Sequence, residues 1–393
     1  MNSITPSASS TCTSLLIACN EQDRVFGYAF SVIEEGVAAR AFPGASVAVT
    51  LQGQLVARKA FGSFTHESST VENPAVAVET PFDIASVTKV VATTSVAMLL
   101  YERGILDLDE PIAGVIPEFA PATSATQRDP RRRDVTFHML LAHSSGLPAY
   151  GKLFLKTSSG AGLLGAAFST PLTAIPGARA EYSDIGFIVL GAALERLAGE
   201  SLDTFCQREI FGRLGMSKTT FKPTAEMRPH IPPTADERKT TGGSNFRNRV
   251  IQGEVQDENA SVLGGVAGHA GLFSTAEDLA RFANAMLHGG RPILRPETVA
   301  LFTRKESDPA GTTRALGWDT PSSPSQSGKY FSPGSFGHLG YTGTSLWIDP
   351  VSQLSITLLT NRTWPDCSNQ AIKQVRPRFH DAVVEAVNKR SSS

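Results

Sequence analysis

The spacing of apolar positions differs between the two ends of the chain and its middle. Near the start, apolar residues recur at helical spacing from residue 23 to residue 40, which predicts a first helix. Two β-rich runs then flank Gln52-Gly53 and predict a hairpin. A second hairpin is predicted around Pro350, in the alternating segment TSLWIDPVSQLSITLLTN. The pattern therefore places strands near both ends of the chain.

The middle of the chain shows helical rather than alternating spacing. Three segments predict helices there: TFHMLLAHSSGLP, YSDIGFIVLGAALERLAG and LDTFCQREIFGRLGM. Residues 223–263 are rich in turn formers and irregular. Two more helices are predicted after them. One opens with a capping box made by Ser274 and Glu277, and the closing one has Pro377 near its middle.

Strands at both ends with helices between them indicate an α+β fold. The simplest arrangement is one antiparallel sheet built from both ends, flanked by the terminal helices, with a mainly helical lobe inserted between its strands. We expect a disordered lead-in over residues 1–22, a discontinuous α/β lobe over residues 23–110 and 275–393, and a mainly helical lobe over residues 111–274. Together the lobes would form one catalytic unit that binds its ligand in the cleft between them.

Composition narrows the classes of partner. The chain has 393 residues, 41% of them hydrophobic, and a net charge of −1, so nothing in its charge favours nucleic acid or an anionic membrane as a partner. No stretch approaches the roughly 20 apolar residues of a membrane span, and no export signal is visible, so we expect a cytoplasmic location. The four cysteines form no C-x-x-C pair, which indicates neither a zinc site nor a disulfide framework. The oligomeric state stays open.

The segment ASVTKVVATTSVAMLLYERG places a serine and a lysine on one face of a predicted buried helix. Ser86 and Lys89 are three residues apart, so the amine can reach the hydroxyl. A serine becomes an effective nucleophile when a base takes its proton, and burial gives a lysine the lowered pKa that this task requires. The alternative is a surface lysine that extends its amine into solvent.

Two further motifs follow in a recognisable order. YSD at residues 182–184 opens an apolar helix, and HLG at residues 338–340 precedes the last hairpin. The order S-x-x-K, Y-x-N/D, basic residue-x-Gly resembles the serine β-lactamase and penicillin-binding-protein superfamily, especially class C β-lactamases and family VIII carboxylesterases. Flanking phrases such as HMLLAHSSGLP and GGVAGHAGLFSTAEDLARF are similar too, so the resemblance covers residues 25–390.

The resemblance implies the β-lactamase/transpeptidase-like fold and a role for each matching residue. Ser86 is the nucleophile that forms an acyl-enzyme, and Lys89 and Tyr182 share the general-base work. The backbone N–H groups of Ser86 and Tyr341 form the oxyanion hole, while Gly340 leaves space for the substrate beside the strand. No cofactor and no metal are implied.

The predicted substrate-binding residues include the positions where the chain departs from the family. His338 and Leu339 replace the usual lysine and threonine, which weakens the grip on a substrate carboxylate and favours a neutral ester. Asp184 replaces the usual asparagine; we expect it to pair with Lys89, raise the pKa of that lysine and shift proton abstraction towards Tyr182. Gly340 and Trp318 complete this set, although core packing explains Trp318 equally well.

These residues favour a serine hydrolase that acts on a small-molecule ester or amide, first of all a carboxylesterase on short-chain esters with weak or no β-lactamase activity. The alternatives are a D-Ala-D-Ala-type carboxypeptidase or β-lactamase and an acyltransferase of the same fold. A non-catalytic binding protein is the alternative from another class. An α/β-hydrolase lacks support because the chain has no G-x-S-x-G motif.

Two other groups of residues have competing explanations. His143 could form a Ser-His pair with Ser144 or Ser145, or it could hold a loop at the end of a helix, which we favour. The second group is Glu254, Asp257, Glu258, Asn259 and His269. It could bind a cation, or it could form a hydrogen-bonded network within a loop, which we favour.

Overall fold

The frame of the molecule is a six-stranded sheet whose strands come from both ends of the chain. The computed structural model describes residues 15–66, 73–119, 129–238 and 246–391. The strands are β1 Leu16–Ile17, β2 Gly44–Leu51, β3 Gln54–Gly62, β4 Phe82–Asp83, β5 Ala235–Asp236, β6 Val250–Ile251, β7 Phe273–Ser274, β8 Phe336–Leu339, β9 Ser345–Asp349 and β10 Leu354–Thr360.

Most helices lie between β4 and β8 in the sequence, as the spacing of apolar residues predicts. The α-helices are α1 Gln22–Ala38, α2 Ser95–Glu102, α3 Ile112–Val115, α4 Phe137–Leu141, α5 Gly160–Ser169, α6 Asp184–Ala198, α7 Leu202–Cys206, α8 Gly212–Leu214, α9 Glu258–Val262, α10 Ala276–Leu287, α11 Pro296–Thr303 and α12 Ile372–Ser391. Short 3-10 and π-helical turns connect several of them. Those are Ala85–Val87, Lys89–Thr94, Pro117–Phe119, Pro130–Asp134, Leu153–Leu155, Gln207–Phe211 and Arg228–His230.

The large sheet has the order β1-β3-β2-β10-β9-β8. Every neighbouring pair is antiparallel except β1 and β3, which are parallel. Both predicted hairpins are confirmed: β2 and β3 join at Gln52-Gly53, which has two positive φ angles, and β9 and β10 join just after Pro350. The pairing of β2 with β10 joins the two ends of the chain, so the predicted α+β fold with one sheet from both ends is confirmed.

Both faces of the central strands are buried, which explains why all seven residues of β10 are inaccessible. Phe30 of α1 and Phe379 of α12 belong to an apolar core that covers one face together with Ile356 of β10. Leu359 of the same strand belongs to the core on the opposite face, which includes Leu279 of α10 and continues into α2 and α6. The sheet is thus a central layer between the two terminal helices and the helical part of the chain.

Two local predictions differ from the structure. The expected lead-in over residues 1–22 contains β1, which pairs with β3, and a turn that leads into α1. The prediction of disorder is therefore wrong for residues 15–22, and residues 1–14 lie outside the described residues. The N-cap of α10 is Thr275 rather than Ser274, because the Thr275 hydroxyl accepts the Asp278 N–H at 3.1 Å. The lobe boundaries after residues 110 and 274 stay a prediction.

Two expectations concern cysteines and membrane spans. Cys19, Cys206 and Cys367 take part in no disulfide bond within the described residues, and Cys12 lies outside them. Across the described part of the chain, no helix has both the length and the hydropathy that crossing a bilayer requires.

Candidate active site

The turn that carries Ser86 is held in a strained conformation. Ala85, the residue before Ser86, has a φ of +47°, a left-handed value that is unfavourable for a residue with a Cβ. The Asp83 carboxylate accepts the Ala85 N–H at 2.8 Å and holds the turn from inside. Thr342 and Thr344 donate their hydroxyls to the carbonyls of residues 83 and 84 at 2.8 and 3.1 Å. The segment that follows β8 therefore fixes the position of Ser86.

Lys89 is completely buried and has every ammonium hydrogen engaged. Its Nζ donates to Ser86 Oγ at 3.1 Å, to Asp184 Oδ1 at 2.7 Å and to the His269 carbonyl at 2.9 Å. Burial lowers the pKa of Lys89, and the Asp184 charge offsets only part of that effect. The predicted pairing with Asp184 is present, but the direction of the net shift is the opposite of the one expected from the sequence, because burial outweighs the ion pair.

Tyr182 is the second hydrogen-bond partner of the serine hydroxyl. Its phenol donates to Ser86 Oγ at 2.8 Å, and its ring lies 4.9 Å from Lys89 Nζ. Burial raises the pKa of Tyr182 well above the usual range, and the Asp184 carboxylate adds to the increase. The resting side chain is a neutral phenol that can return a proton to a leaving group, whereas the lowered pKa makes Lys89 the better first acceptor.

The two predicted oxyanion donors are free. Among the described residues, no hydrogen bond engages the backbone N–H of Ser86 or that of Tyr341. Gly340 lines the cavity, and its predicted role in leaving space for the substrate stays a prediction. Packing gives a further reason for glycine. A Cβ there would lie 1.8 Å from Thr344 Oγ1 and 2.6 Å from the Ile84 carbonyl, so it would push this segment away from the turn that carries Ser86.

His338 lies behind Tyr182 rather than in the cavity, which contradicts its predicted contact with substrate. Its side chain is buried, its Nδ1 is 2.8 Å from the Leu339 carbonyl, and its ring centroid is 6.0 Å from that of Tyr182. Burial, aided by Lys89 and Arg314, lowers the pKa of His338 well below the usual range. The side chain is therefore neutral, as the sequence predicts, while Leu339 is the residue of this motif that lines the cavity.

Trp318 belongs to the core, so its predicted role in binding substrate is wrong. The indole is fully buried, 4.9 Å from the Phe336 ring centroid and stacked on Phe282. The cavity beside Ser86 is lined by other residues. The phrase LGWD could not specify whether the tryptophan faces the cavity or the core, because that depends on packing against Phe282 and Phe336.

The structural explanations for His143 and for the acidic group are supported. His143 Nδ1 accepts the Ser183 N–H at 3.0 Å, which holds the start of α6 after the end of α4. Asn259 Oδ1 accepts the Phe154 N–H at 3.0 Å, and Asp257 Oδ1 lies 2.8 Å from His269 Nε2. Within the described residues, no group of acidic, histidine or cysteine side chains is arranged to hold a metal ion.

A cavity of about 840 Å³ lies in front of Ser86 and draws its walls from both predicted lobes. Acidic side chains from residues 257 and 258 line one part. Arg362, which follows β10, and Arg376 of α12 line another part, next to Gly340 and Tyr341. Sequence analysis missed both arginines. The signal for Arg376 was present, since it shares an apolar helical face with Ile372 and Phe379, and a charge on such a face is buried.

The two buried arginines hold the turn between β8 and β9, which carries Tyr341, the predicted oxyanion donor. Arg362 Nε donates to the Tyr341 carbonyl at 2.7 Å, and Arg376 Nη2 donates to the Gly340 carbonyl at 3.4 Å. Neither forms an ion pair with a carboxylate of the described residues, and Arg376 Nε has no hydrogen-bond partner there. Burial and the neighbouring Arg362 charge lower the pKa of Arg376 to about 9.

The fold and this arrangement of side chains define a class, the serine hydrolases of the penicillin-binding-protein and β-lactamase fold. A family model described as Beta-lactamase matches residues 30–375. The chain therefore belongs to that family, and the resemblance that the sequence motifs indicated is confirmed.

Relatives and solved structures agree with this assignment. The chain is 33% identical over 345 residues to a candidate D-alanyl-D-alanine carboxypeptidase of Escherichia coli strain K12, covering 82% of this chain and 79% of that protein. It is 35% identical over 359 residues to an N-acetylmuramyl-L-alanine amidase of Bacillus subtilis strain 168, covering 84% and 79%. The structure of EstCE1, a hydrolase with promiscuous acyltransferase activity, has a TM-score of 0.74 at 22% identity over 92% of this chain and 99% of that one.

Proposed function

We propose that this chain is a serine hydrolase that cleaves an amide bond through an acyl-Ser86 intermediate, in a substrate that carries a carboxylate close to the scissile bond. The observation that carries this proposal is the pair of buried arginines, Arg362 and Arg376, at the edge of the cavity next to Tyr341. Peptide fragments of the kind found in bacterial cell walls combine an amide with such a carboxylate.

The proposed reaction uses the hydrogen bonds around Ser86 in sequence. The neutral form of Lys89, reached when the ammonium loses one proton to solvent, accepts the Ser86 proton as Oγ attacks the carbonyl carbon. The N–H groups of Ser86 and Tyr341 hold the oxygen that becomes negative. Tyr182 donates its proton to the departing nitrogen and recovers one from Lys89. Water then attacks the acyl-enzyme, loses its proton to the same pair of residues, and releases the acid and Ser86.

The energetic argument concerns two cations that pair with no carboxylate in the part of the chain that the structure describes. The residues Arg362 and Arg376 are only 7% and 5% exposed, and a buried guanidinium is costly unless a negative group compensates it. Carbonyl groups at residues 340 and 341 satisfy some of their N–H groups but supply no charge. A substrate carboxylate would supply that charge and would form bidentate bonds with a guanidinium. Arg362 and Arg376 would thus take over the binding of the substrate carboxylate.

The names of the two curated relatives support an amide substrate. One name specifies D-alanyl-D-alanine, whose terminal carboxylate adjoins its amide bond, and the other specifies the amide of N-acetylmuramyl-L-alanine. At 33% and 35% identity they share the family but not a demonstrated substrate with this chain. The choice between these two amides is a question for the assay.

The first test compares wild type with Ser86→Ala on N-acetylmuramyl-L-alanine, a peptide ending in D-Ala-D-Ala, p-nitrophenyl butyrate and nitrocefin. We expect turnover of one of the amides, and a loss of at least about a thousandfold in kcat in the variant. Full turnover by Ser86→Ala would overturn the acyl-enzyme. A fluorophosphonate that fails to label wild-type Ser86 would favour the non-catalytic binding protein.

The second test isolates the arginines. We expect Arg362→Gln and Arg376→Gln to raise KM for the carboxylate-bearing amide at least about tenfold while leaving KM for an uncharged ester unchanged. Arg378→Gln is the matched control, because Arg378 also belongs to α12 but lies on the surface against Glu35. An equal loss on charged and uncharged substrates would show that the arginines only stabilise the strand, and would contradict the proposed carboxylate contact.

A carboxylesterase is the second candidate, and a specific observation favours it. Leu339 presents an apolar side chain to the cavity where the family has a hydroxyl, and the neutral His338 lies behind Tyr182. An ester turned over faster than every amide, with no response to Arg362→Gln, would favour this candidate. Transfer of the acyl group to an added alcohol would identify an acyltransferase through the same acyl-Ser86.

A further inference from the structure

We propose that Arg314 supplies the positive charge that position 338 lacks, and that it promotes proton transfer from Ser86 by acting through Tyr182 and Lys89. The inference rests on the proposed acyl-Ser86 chemistry but not on the identity of the substrate. Arg314 lies between α11 and β8 and belongs to none of the three sequence motifs. It is a positioning residue, because it contacts Tyr182 rather than the reacting atoms.

A tight turn over residues 314–319 places this arginine. Ala315 donates its N–H to the Trp318 carbonyl at 2.9 Å, and Asp319 pairs with Gly337 on the edge of β8 through bonds of 2.8 and 2.9 Å. The buried indole of Trp318 anchors the turn in the core. The turn is therefore held by backbone hydrogen bonds and a buried side chain, and it places the guanidinium next to Tyr182.

Two cations face the ring of Tyr182. The guanidinium carbon of Arg314 is 5.4 Å from the ring centroid, and Lys89 Nζ is 4.9 Å from it. Arg314 is largely buried and forms an ion pair with Asp319 on its outer side. A cation close to an aromatic ring in a desolvated site interacts more strongly than one at the surface.

The charges around Tyr182 explain why a second cation matters. The groups that face this side chain are Ser86, Lys89, Asp184, His143, His338 and Arg314. Burial lowers the pKa of His143 and of His338 well below the usual range, so both are neutral. Lys89 and Asp184 carry opposite charges 2.7 Å apart, so their charges largely offset each other. Asp319 offsets part of the Arg314 charge in the same way, but Arg314 is the second cation at this ring and favours the negative charge that develops when Ser86 attacks.

The direction of the effect is the same at both proton-transfer groups. The guanidinium of Arg314 opposes the burial that raises the pKa of Tyr182, and it adds to the burial that lowers the pKa of Lys89. Loss of this charge therefore makes Lys89 a stronger base that stays protonated to higher pH. It also makes the Tyr182 proton harder to remove. Both changes move the pH at which Ser86 becomes reactive upwards.

The test measures the rate of Ser86 labelling by a fluorophosphonate between pH 5 and pH 10, with hydrolysis of an uncharged p-nitrophenyl ester as a second readout. We expect Ser86 of Arg314→Met to be labelled at least about tenfold more slowly than wild type at pH 7. The ascending limb of its profile of labelling rate against pH should lie at higher pH, and the rates of variant and wild type should converge at high pH. Arg314→Lys should restore most of the rate because it keeps the charge.

The partner of Arg314 provides a test of opposite sign. Asp319→Asn removes the negative charge behind the guanidinium, so we expect its ascending limb to move to lower pH, while Arg304→Met at the exposed end of α11 leaves the limb unchanged. Opposite shifts in Arg314→Met and Asp319→Asn would support electrostatic action. Shifts of both in one direction, or an unchanged limb in Arg314→Met, would overturn it. Absence of labelling in wild type would contradict the acyl-Ser86 proposal instead, so the two failures are distinguishable.

Discussion

Lys89 illustrates how a single buried charge can be both stabilised and poised for reaction. Its three hydrogen bonds to Ser86, Asp184 and the His269 carbonyl offset the penalty of removing an ammonium group from water. The same burial lowers its pKa, which makes the neutral amine easier to reach than for a lysine in water. Burial therefore lowers the pKa of Lys89, and the carboxylate of Asp184 limits the size of that decrease.

Replacement of this carboxylate gives a prediction with a defined sign. In Asp184→Asn, Lys89 loses the charge that opposes its lowered pKa, and Tyr182 loses a charge that raises its pKa. We expect the ascending limb of kcat/KM against pH to move to lower pH by about one unit or more, since a carboxylate at contact distance shifts a neighbouring pKa by that amount. The variant keeps the size and one acceptor oxygen of the original side chain. A limb that moves upwards would contradict the arrangement of charges described above.

Single residues show where sequence reasoning succeeds and where it stops. Ser86 and Lys89 could be paired from a three-residue spacing because a helical turn fixes their distance. His338 and Trp318 were predicted to contact substrate, but both side chains are buried away from the cavity, because the direction of a side chain depends on neighbours from distant segments. Arg314 was missed altogether, because no local pattern relates it to Tyr182.

At the scale of elements, the nucleophile turn depends on residues that connect it to its surroundings. The carboxylate of Asp83 accepts the N–H of Ala85 at 2.8 Å and that of Gln256 at 2.7 Å, so it joins the strained turn to the loop before α9. Its backbone carbonyl meanwhile accepts the Thr342 hydroxyl. These hydrogen bonds keep Ala85 at its unfavourable positive φ.

Asp83→Asn tests that connection. An amide offers one acceptor oxygen in place of two, so one of the N–H groups of Ala85 and Gln256 loses its partner. We expect the free energy of unfolding at pH 7 to fall by about 1–3 kcal/mol, measured by chemical denaturation. Ser86 labelling by the fluorophosphonate should slow as well, because the turn is released. An unchanged stability together with unchanged labelling would show that Asp83 does not hold the turn.

The same variant should also change how stability depends on pH. Burial raises the pKa of Asp83 to about 6, above the usual value of 3.8. The folded state therefore binds this proton more tightly than the unfolded state, and stability from this group falls as pH rises from about 4 to about 6. The stability of wild type relative to Asp83→Asn should decrease over that window and level off above it. A constant difference between pH 4 and pH 7 would contradict the raised pKa.

The elements themselves were predictable to the extent that they are local. The hairpin at Gln52-Gly53 is encoded by its turn residues, and α6 by apolar spacing that starts at an N-cap. The cap of α10 was misplaced by one residue because Ser274 and Thr275 offer the same side-chain chemistry. Pairing β1 with β3 depends on a contact between distant parts of the chain, and a two-residue strand carries no periodicity.

At the scale of the whole molecule, the site exists only because the two ends of the chain meet. The pairing of β2 with β10 places Arg362, just after β10, in the same cavity as Ser86 and Tyr182. A net charge of −1 averages over the chain and conceals a local excess of positive charge. Bulk composition therefore gave no reason to expect a nucleic-acid partner and could not indicate that Arg362 and Arg376 lie together at the cavity.

This arrangement predicts that a small anion stabilises the entire fold. A ligand that binds the native state alone adds RT ln(1 + [L]/Kd) to the free energy of unfolding, about 1.4 kcal/mol at ten times Kd. For a chain of this size we expect N-acetyl-D-alanine to raise Tm by about 1–3 °C. Ser86→Ala should show the same rise, since no covalent step is involved, and Arg376→Gln should show none. N-acetyl-D-alaninamide is the uncharged control. An equal rise with the amide, or a full rise in Arg376→Gln, would show that the arginines at the cavity do not bind the carboxylate.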